Sequence, residues 1–176
     1  MKNNLISILI TNYNKSQFLK KSLKSIQSQQ YKNYEIIIFD DASTDNSIEI
    51  IKKFKKMKLV INKKKIYSCP ALNQIYGLKK AFLKSRGKII CLMDADDYFK
   101  KNKLFEVNKY FELNKKKNVL YNLPIVAAGN NFNILKITKN RIWPVIFPTS
   151  CISIKRDSLK LFFQNVKSEN YQNLEI

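Results

Sequence analysis

Three aspartates, Asp94, Asp96 and Asp97, crowd the end of the apolar run in "CLMDADDYF" (residues 91–99). Three more, Asp40, Asp41 and Asp45, close the run in "IIIFDDASTD" (36–45). The 176-residue chain has seven aspartates, so six of them gather at the ends of two strand-length segments. Clustered carboxylates repel: two of them ~5 Å apart at an effective dielectric of ~20 cost roughly 3 kcal/mol. A fold tolerates this when a divalent cation neutralises them, when they splay apart, or when one is protonated. Asp94 and Asp96, an Asp-x-Asp pair of all-oxygen ligands, suit Mg²⁺ or Mn²⁺, above all where substrate phosphates complete the shell. Turn formation or helix capping explains Asp45 better and Asp97 equally well. A cap does not call for both Asp94 and Asp96.

The residues that are missing narrow the chemistry. Histidine is absent, which removes Ser-His-Asp and Cys-His nucleophile schemes and leaves acid–base work to carboxylates. Three glycines, Gly77, Gly87 and Gly129, form neither G-x-G-x-x-G nor G-x-x-x-x-G-K-S/T, so a bound nucleotide's phosphates must be held by a metal rather than a glycine-rich cradle. Cys69, Cys91 and Cys151 have no CxxC spacing; disulfides and a zinc site are not expected, and Cys91 reads as a core thiol.

The net charge of +20 has two readings. It suits an anionic partner, including a membrane surface met by a Lys-rich face. The 30 Lys against 3 Arg, with 20 Asn, also look like drift in an A/T-rich genome, since bidentate phosphate recognition favours Arg. Nucleic acid is not expected, because an acid-lined rim repels phosphate and no zinc-finger or RNP-like motif occurs. No run approaches the ~18 apolar residues that span a bilayer, and residues 1–10 lack a signal-peptide layout. The expectation is a cytoplasmic protein, at most peripheral at the inner face of the membrane.

The elements that must position these aspartates follow from periodicity. Apolar runs at 5–10, 34–39, 58–62 and 88–93 have strand length. Between them, helical spacing predicts helices over 16–28, after Ser43 or Thr44 as cap, over 70–85 with Gly87 as stop, and over 103–113. Strands apolar throughout and alternating with helices indicate a mostly parallel sheet covered on both faces, an α/β fold in one domain over 1–176. Beyond 118, "VLYNLPIVAAG", "FNILKI" and "SCISIK" read as further strands, and Asp157 as the cap of a helix over 158–164. Lys63–Lys65 and Lys115–Lys117 read as solvated turns or helix ends. In open parallel sheets ligands bind beyond the carboxyl ends of strands, where strand order reverses. Both aspartate clusters and the polar "TNYN" (11–14) lie on that rim.

Together "ISILITNYNKSQFLKKSLKSIQSQQYKNYEIIIFDDASTDNS" and "GKIICLMDADDYF" resemble the opening of family 2 glycosyltransferases, over about residues 5–114. The resemblance implies a GT-A fold, with a nucleotide-sugar-binding half over 1–117 and a partial acceptor-side half over 118–176. It implies an inverting transfer of sugar from a nucleotide-diphospho-sugar, a UDP-sugar being the usual donor, to a saccharide or lipid-linked hydroxyl in bacterial surface polysaccharide or glycolipid synthesis. By the same resemblance Thr11 and Tyr13 line the nucleobase pocket and Asp41 accepts a hydrogen bond from the base. Asp94 faces the ribose and metal, and Asp96 binds the Mg²⁺ or Mn²⁺ bridging the phosphates.

Two departures stand out. "YSCPALN" places Tyr67 where the family often has glycine and Leu72 where it has arginine, while Ala71 and Asn73 are kept. The carboxylate base expected after the acceptor-side strands has only Glu175 as a candidate, in "NYQNLEI", or else lies beyond the chain, which is expected to be a fragment or short form that ends at the catalytic motif and lacks its base. Glu106 and Glu112 read as solvated helix-face residues and Glu169 as part of a polar loop. The alternatives are a transferase-like module that binds nucleotide or polyanion without turnover, or another metal-dependent phosphate enzyme such as a nucleotidyltransferase or an Asp-nucleophile phosphatase.

Overall fold

The computed structural model describes residues 2–128, 131–134 and 148–165. Its first two-thirds alternate as β1 (Ile6–Asn12), α1 (Ser16–Gln27), β2 (Tyr34–Asp41), α2 (Ser47–Lys52), β3 (Met57–Asn62), α3 (Pro70–Lys84), β4 (Ile89–Asp94) and α4 (Lys103–Leu113). Then come β5 (Val119–Tyr121), β6 (Ile125–Ala128), β7 (Asn131–Ile134), a 3-10 turn at Thr149–Cys151, β8 (Ile152–Lys155) and α5 (Arg156–Asn165). Six strands form one sheet in the order β3-β2-β1-β4-β8-β5, while β6 and β7 pair separately. The first four strands of that order are mutually parallel; β8 runs antiparallel to β4 and to β5.

Continuous apolarity places β1 at the centre, with six of its seven residues buried. One sheet face carries Ile8, Ile10, Ile36, Ile38, Cys91 and Met93 against α1, α2 and α4. The other carries Leu9, Ile37, Phe39, Ile90 and Leu92 against α3 and α5. In α1, Leu19, Leu23 and Ile26 recur at three- and four-residue spacing and bury one stripe. Cys91 lies within the core, fully buried.

Several local expectations are corrected. Neither Ser43 nor Thr44 caps α2; Asn46 precedes it with no side-chain cap bond. Ser43 is drawn instead to Asp40, which accepts from its backbone N–H and its hydroxyl. Gly87 does not stop α3, which ends at Lys84 with Ser85 N–H and Oγ both on the Phe82 carbonyl. Gly87 is needed because a Cβ there would lie 2.5 Å from Ser7 N, against the β1 backbone. Asp157 is the second residue of α5 rather than its cap, where a carboxylate complements the helix dipole. Glu112 is no free solvated residue: Asn4 Nδ2 donates to it at 2.8 Å and Lys115 pairs with it at 2.7 Å.

Candidate functional site

Chain connectivity makes the crevice. After β1 the chain winds outward through β2 and β3, then crosses back to lay β4 on the other side of β1. Strand order reverses between β1 and β4, which stay paired to their carboxyl ends with Thr11 opposite Asp94 in register. A cavity of about 470 Å³ opens there. Thr11, Tyr13, Asp41, Asp94 and Asp96 all line it, from three separate segments.

Strand alternation decides which acid faces the cavity. Thr11, Asp41 and Asp94 share the sheet face of Leu9, Phe39 and Leu92, toward α3. Asp40 is not part of the lining and accepts from Asn12 Nδ2 at 2.7 Å, while Asn12 lies on the cavity wall. Asp40 thus closes a loop network rather than meeting a ligand. It holds Ser43, whose Oγ accepts from Asn14 N–H, while Asn14 Oδ1 accepts from Thr44 N–H. Asn14 and Ala42 both have positive φ, 49° and 60°, a conformation that this network maintains. Asp45 stitches the same loops, accepting from Ser16 N–H at 2.9 Å and Ser47 N–H at 3.0 Å. Burial opposes its ionisation, but these hydrogen bonds outweigh it and hold its carboxyl at about 2.

Each cavity acid is oriented by a partner that the sequence did not advertise. Asp41 Oδ1 accepts from Asn62 Nδ2 at 2.9 Å, across the β2–β3 register. Asp94 Oδ1 accepts from Gln74 Nε2 at 2.7 Å, and Asp94 N–H donates to Ser150 Oγ at 2.9 Å. Burial pushes the Asp94 carboxyl up to about 6; Asp97 and Asp96 add to this, and hydrogen bonds from Gln74 and Thr149 oppose it. Asp97 closes the turn, its N–H on the Asp94 carbonyl at 3.1 Å. Asn73, buried in the first turn of α3, clasps the preceding loop through Tyr67 N–H and the Tyr67 carbonyl. Helical spacing over 70–85 and the kept Ala71 and Asn73 were the sequence signals for that turn, and nothing in them distinguished Gln74.

Two lysines enter the cavity that were expected in solvated positions or not singled out. Lys15 Nζ lies 2.7 Å from Asp96 Oδ2. Lys65 sits over the Tyr13 ring, its ammonium 3.4 Å from the centroid. Leu72, at the position of the family's arginine, is not part of the lining. Glu175 and Glu169 lie outside the described residues, as does Gly129.

The donor set fits a hard divalent cation. Among the described residues no group of three or more His, Cys, Asp or Glu could hold a metal ion. Asp94 and Asp96 could supply the one or two carboxylates that Mg²⁺ uses when substrate phosphates and water complete its shell. Asp96 already draws a cation, the Lys15 ammonium, and Asp94 resists ionisation through burial first and the nearby Asp97 and Asp96 second.

A family model described as glycosyl transferase family 2 matches residues 7–173. An uncharacterised glycosyltransferase of Haemophilus influenzae is 30% identical over 187 residues, covering 95% of this chain and 69% of the relative. The Escherichia coli protein WfaP, a UDP-Glc:alpha-D-GlcNAc-diphosphoundecaprenol beta-1,3-glucosyltransferase, is 37% identical over 101 residues, 57% of this chain and 38% of WfaP. Among solved structures, S. aureus TarS 1–349 in complex with UDP-GlcNAc superposes with a TM-score of 0.68 at 15% identity, over 90% of this chain and 47% of that one. The mannosyltransferase PcManGT from Pyrobaculum calidifontis, in complex with GDP-Man and Mn²⁺, gives 0.67 at 20% identity, over 89% and 46%. The fold shared with these neighbours is GT-A.

Proposed function

The chain belongs to glycosyltransferase family 2, and from that premise we propose that it transfers a sugar from a nucleotide-diphospho-sugar, a UDP-sugar, to a lipid-linked saccharide hydroxyl with inversion. The observation that carries this is the convergence of Thr11, Tyr13, Asp41, Asp94 and Asp96 on one cavity at the strand-order reversal. The acceptor class is drawn from WfaP, whose named substrate is a diphosphoundecaprenol-linked sugar. A role in bacterial surface polysaccharide assembly belongs to the same proposal.

In this reading Tyr13 gives the base an aromatic wall and Asp41, held by Asn62, accepts the base N–H. Asp94 and Asp96 would hold a Mg²⁺ or Mn²⁺, which when bound would supply Lewis-acid stabilisation to the leaving nucleoside diphosphate. Gln74 fixes the Asp94 carboxylate from α3. The acceptor oxygen forms a bond to the anomeric carbon as the bond to the phosphate oxygen breaks. Its proton passes to a carboxylate base. The family resemblance alone makes Glu175 the candidate for that base.

Calorimetric titration of UDP into wild type and Asp96→Asn, with Mn²⁺ and with chelator, tests the donor site. Tight binding is expected only for wild type with Mn²⁺. Equal affinities in all four conditions would exclude the metal-bridged diphosphate. For the base, Glu175→Gln should abolish transfer while leaving UDP binding intact; an unchanged transfer rate would remove Glu175 from the mechanism.

A further inference from the structure

Two cationic side chains line the cavity, and they are placed differently. The Lys15 ammonium is engaged with Asp96 at 2.7 Å. Lys65, in the loop between β3 and α3, meets no carboxylate within ion-pair distance among the described residues. Its ammonium instead covers the face of Tyr13, 3.4 Å above the ring centroid. A planar base and an ammonium cannot occupy the same face of one ring at that separation. The tyrosine is 43% exposed, and at so open a site a cation–ring contact is weak enough for a stacking ligand to displace. Once displaced, the ammonium stays tethered to the cavity wall by a flexible four-carbon stem. Asp94 and Asp96 line the same cavity, so an entering diphosphate meets two carboxylates, of which only Asp96 is paired with a cation, and positive charge beyond one divalent ion favours it. The loop from Lys63 to Lys65 reaches the rim directly before α3, whose own first-turn side chain at the family's arginine position is the apolar Leu72.

We propose that Lys65 is a donor-exchanged cation: it covers Tyr13 in the free cleft, yields the ring to the nucleobase, and moves its ammonium onto the diphosphate. This rests on the donor-site reading above and deepens it. Lys65 then acts in opposite senses on the two halves of the ligand, competing with the base and attracting the phosphates. A side chain that merely supported the loop would weaken both halves alike.

Isothermal titration of uridine, and of UDP with Mn²⁺, into wild type, Lys65→Met and Lys65→Arg separates the cases. For Lys65→Met, uridine affinity should hold or rise up to severalfold, while UDP affinity falls about tenfold and loses part of its dependence on ionic strength. Lys65→Arg, which keeps the charge, should recover most of the UDP affinity. Parallel loss of uridine and UDP in Lys65→Met, or unchanged UDP affinity, would overturn the exchange while leaving the donor site in place. Wild-type protein that binds neither ligand would overturn the donor site itself, and the exchange with it. Retained thermal stability of Lys65→Met, checked first, assigns any change to the cleft rather than to unfolding.

Discussion

A half-buried carboxylate beside two others is the most telling single group in the molecule. Asp94 rises from its ordinary 3.8 to about 6, through burial first and repulsion from Asp97 and Asp96 second. Between those values the folded chain holds the proton that the unfolded chain has released. Stability therefore falls as pH rises from about 4 to about 6 and stays lowered above that, by about 3 kcal/mol at most. Asp94→Asn should accordingly raise the melting temperature by several degrees at pH 7.5 and give no gain near pH 4. A gain independent of pH would show that Asp94 is not the source. Asp41 is argued at the same scale: truncation to Ala leaves a base N–H unpaired in the pocket, a loss of about 1–3 kcal/mol. Uridine titration without phosphate or metal isolates that loss, and unchanged affinity would take Asp41 out of base recognition.

Between elements, two glycines set how closely the layers approach. A Cβ at Gly77, inside α3, would lie 2.5 Å from Cδ1 of Phe39 on β2. Helix propensity favours Ala by up to ~1 kcal/mol, but overpacking typically costs about 1–3 kcal/mol. Gly77→Ala should therefore be mildly destabilising and should disturb Phe39, which itself lines the cavity. At Gly87 the obstacle is backbone, Ser7 N at 2.5 Å and the Leu5 carbonyl at 2.8 Å, and no side-chain rotation relieves it. This contact also seats α5, since Arg156 Nε donates to the Gly87 carbonyl at 2.7 Å. Urea denaturation should rank Gly87→Ala below Gly77→Ala in stability. The reverse order would mean that the β1 edge yields more readily than the Phe39 ring.

Across the whole molecule, +20 net charge on 176 residues opposes compaction, because like charges repel until salt screens them. Four ion pairs occur among the described residues, too few to offset 33 basic side chains. Raising NaCl from about 20 to about 500 mM shortens the screening length severalfold and should raise the melting temperature. A flat or falling dependence would show that the lysines are arranged to cancel locally. No helix among the described residues is long and apolar enough to cross a membrane. The chain spans 69% of its Haemophilus relative and less than half of WfaP and TarS.

The alternation of strands and helices was legible in the sequence because apolar runs of strand length and stripes at helical spacing are one-dimensional patterns. The placement of "TNYN", "FDD" and "MDAD" at strand ends was legible for the same reason, since a strand end is where apolarity stops. The choice of Asp41 over Asp40 came from the family resemblance, though strand alternation by itself implies that adjacent residues face opposite layers. Strand order, and with it the meeting of Thr11 and Asp94, needed the return crossing from β3 to β4, which no local pattern encodes. The partners Asn62, Gln74, Lys15 and Lys65 were decided only by tertiary structure. Each is a polar or basic residue of a common type, and Lys65 reads locally as one more solvated lysine in a lysine-rich chain. A long flexible side chain has many accessible directions, and only packing of distant segments determines which group it meets.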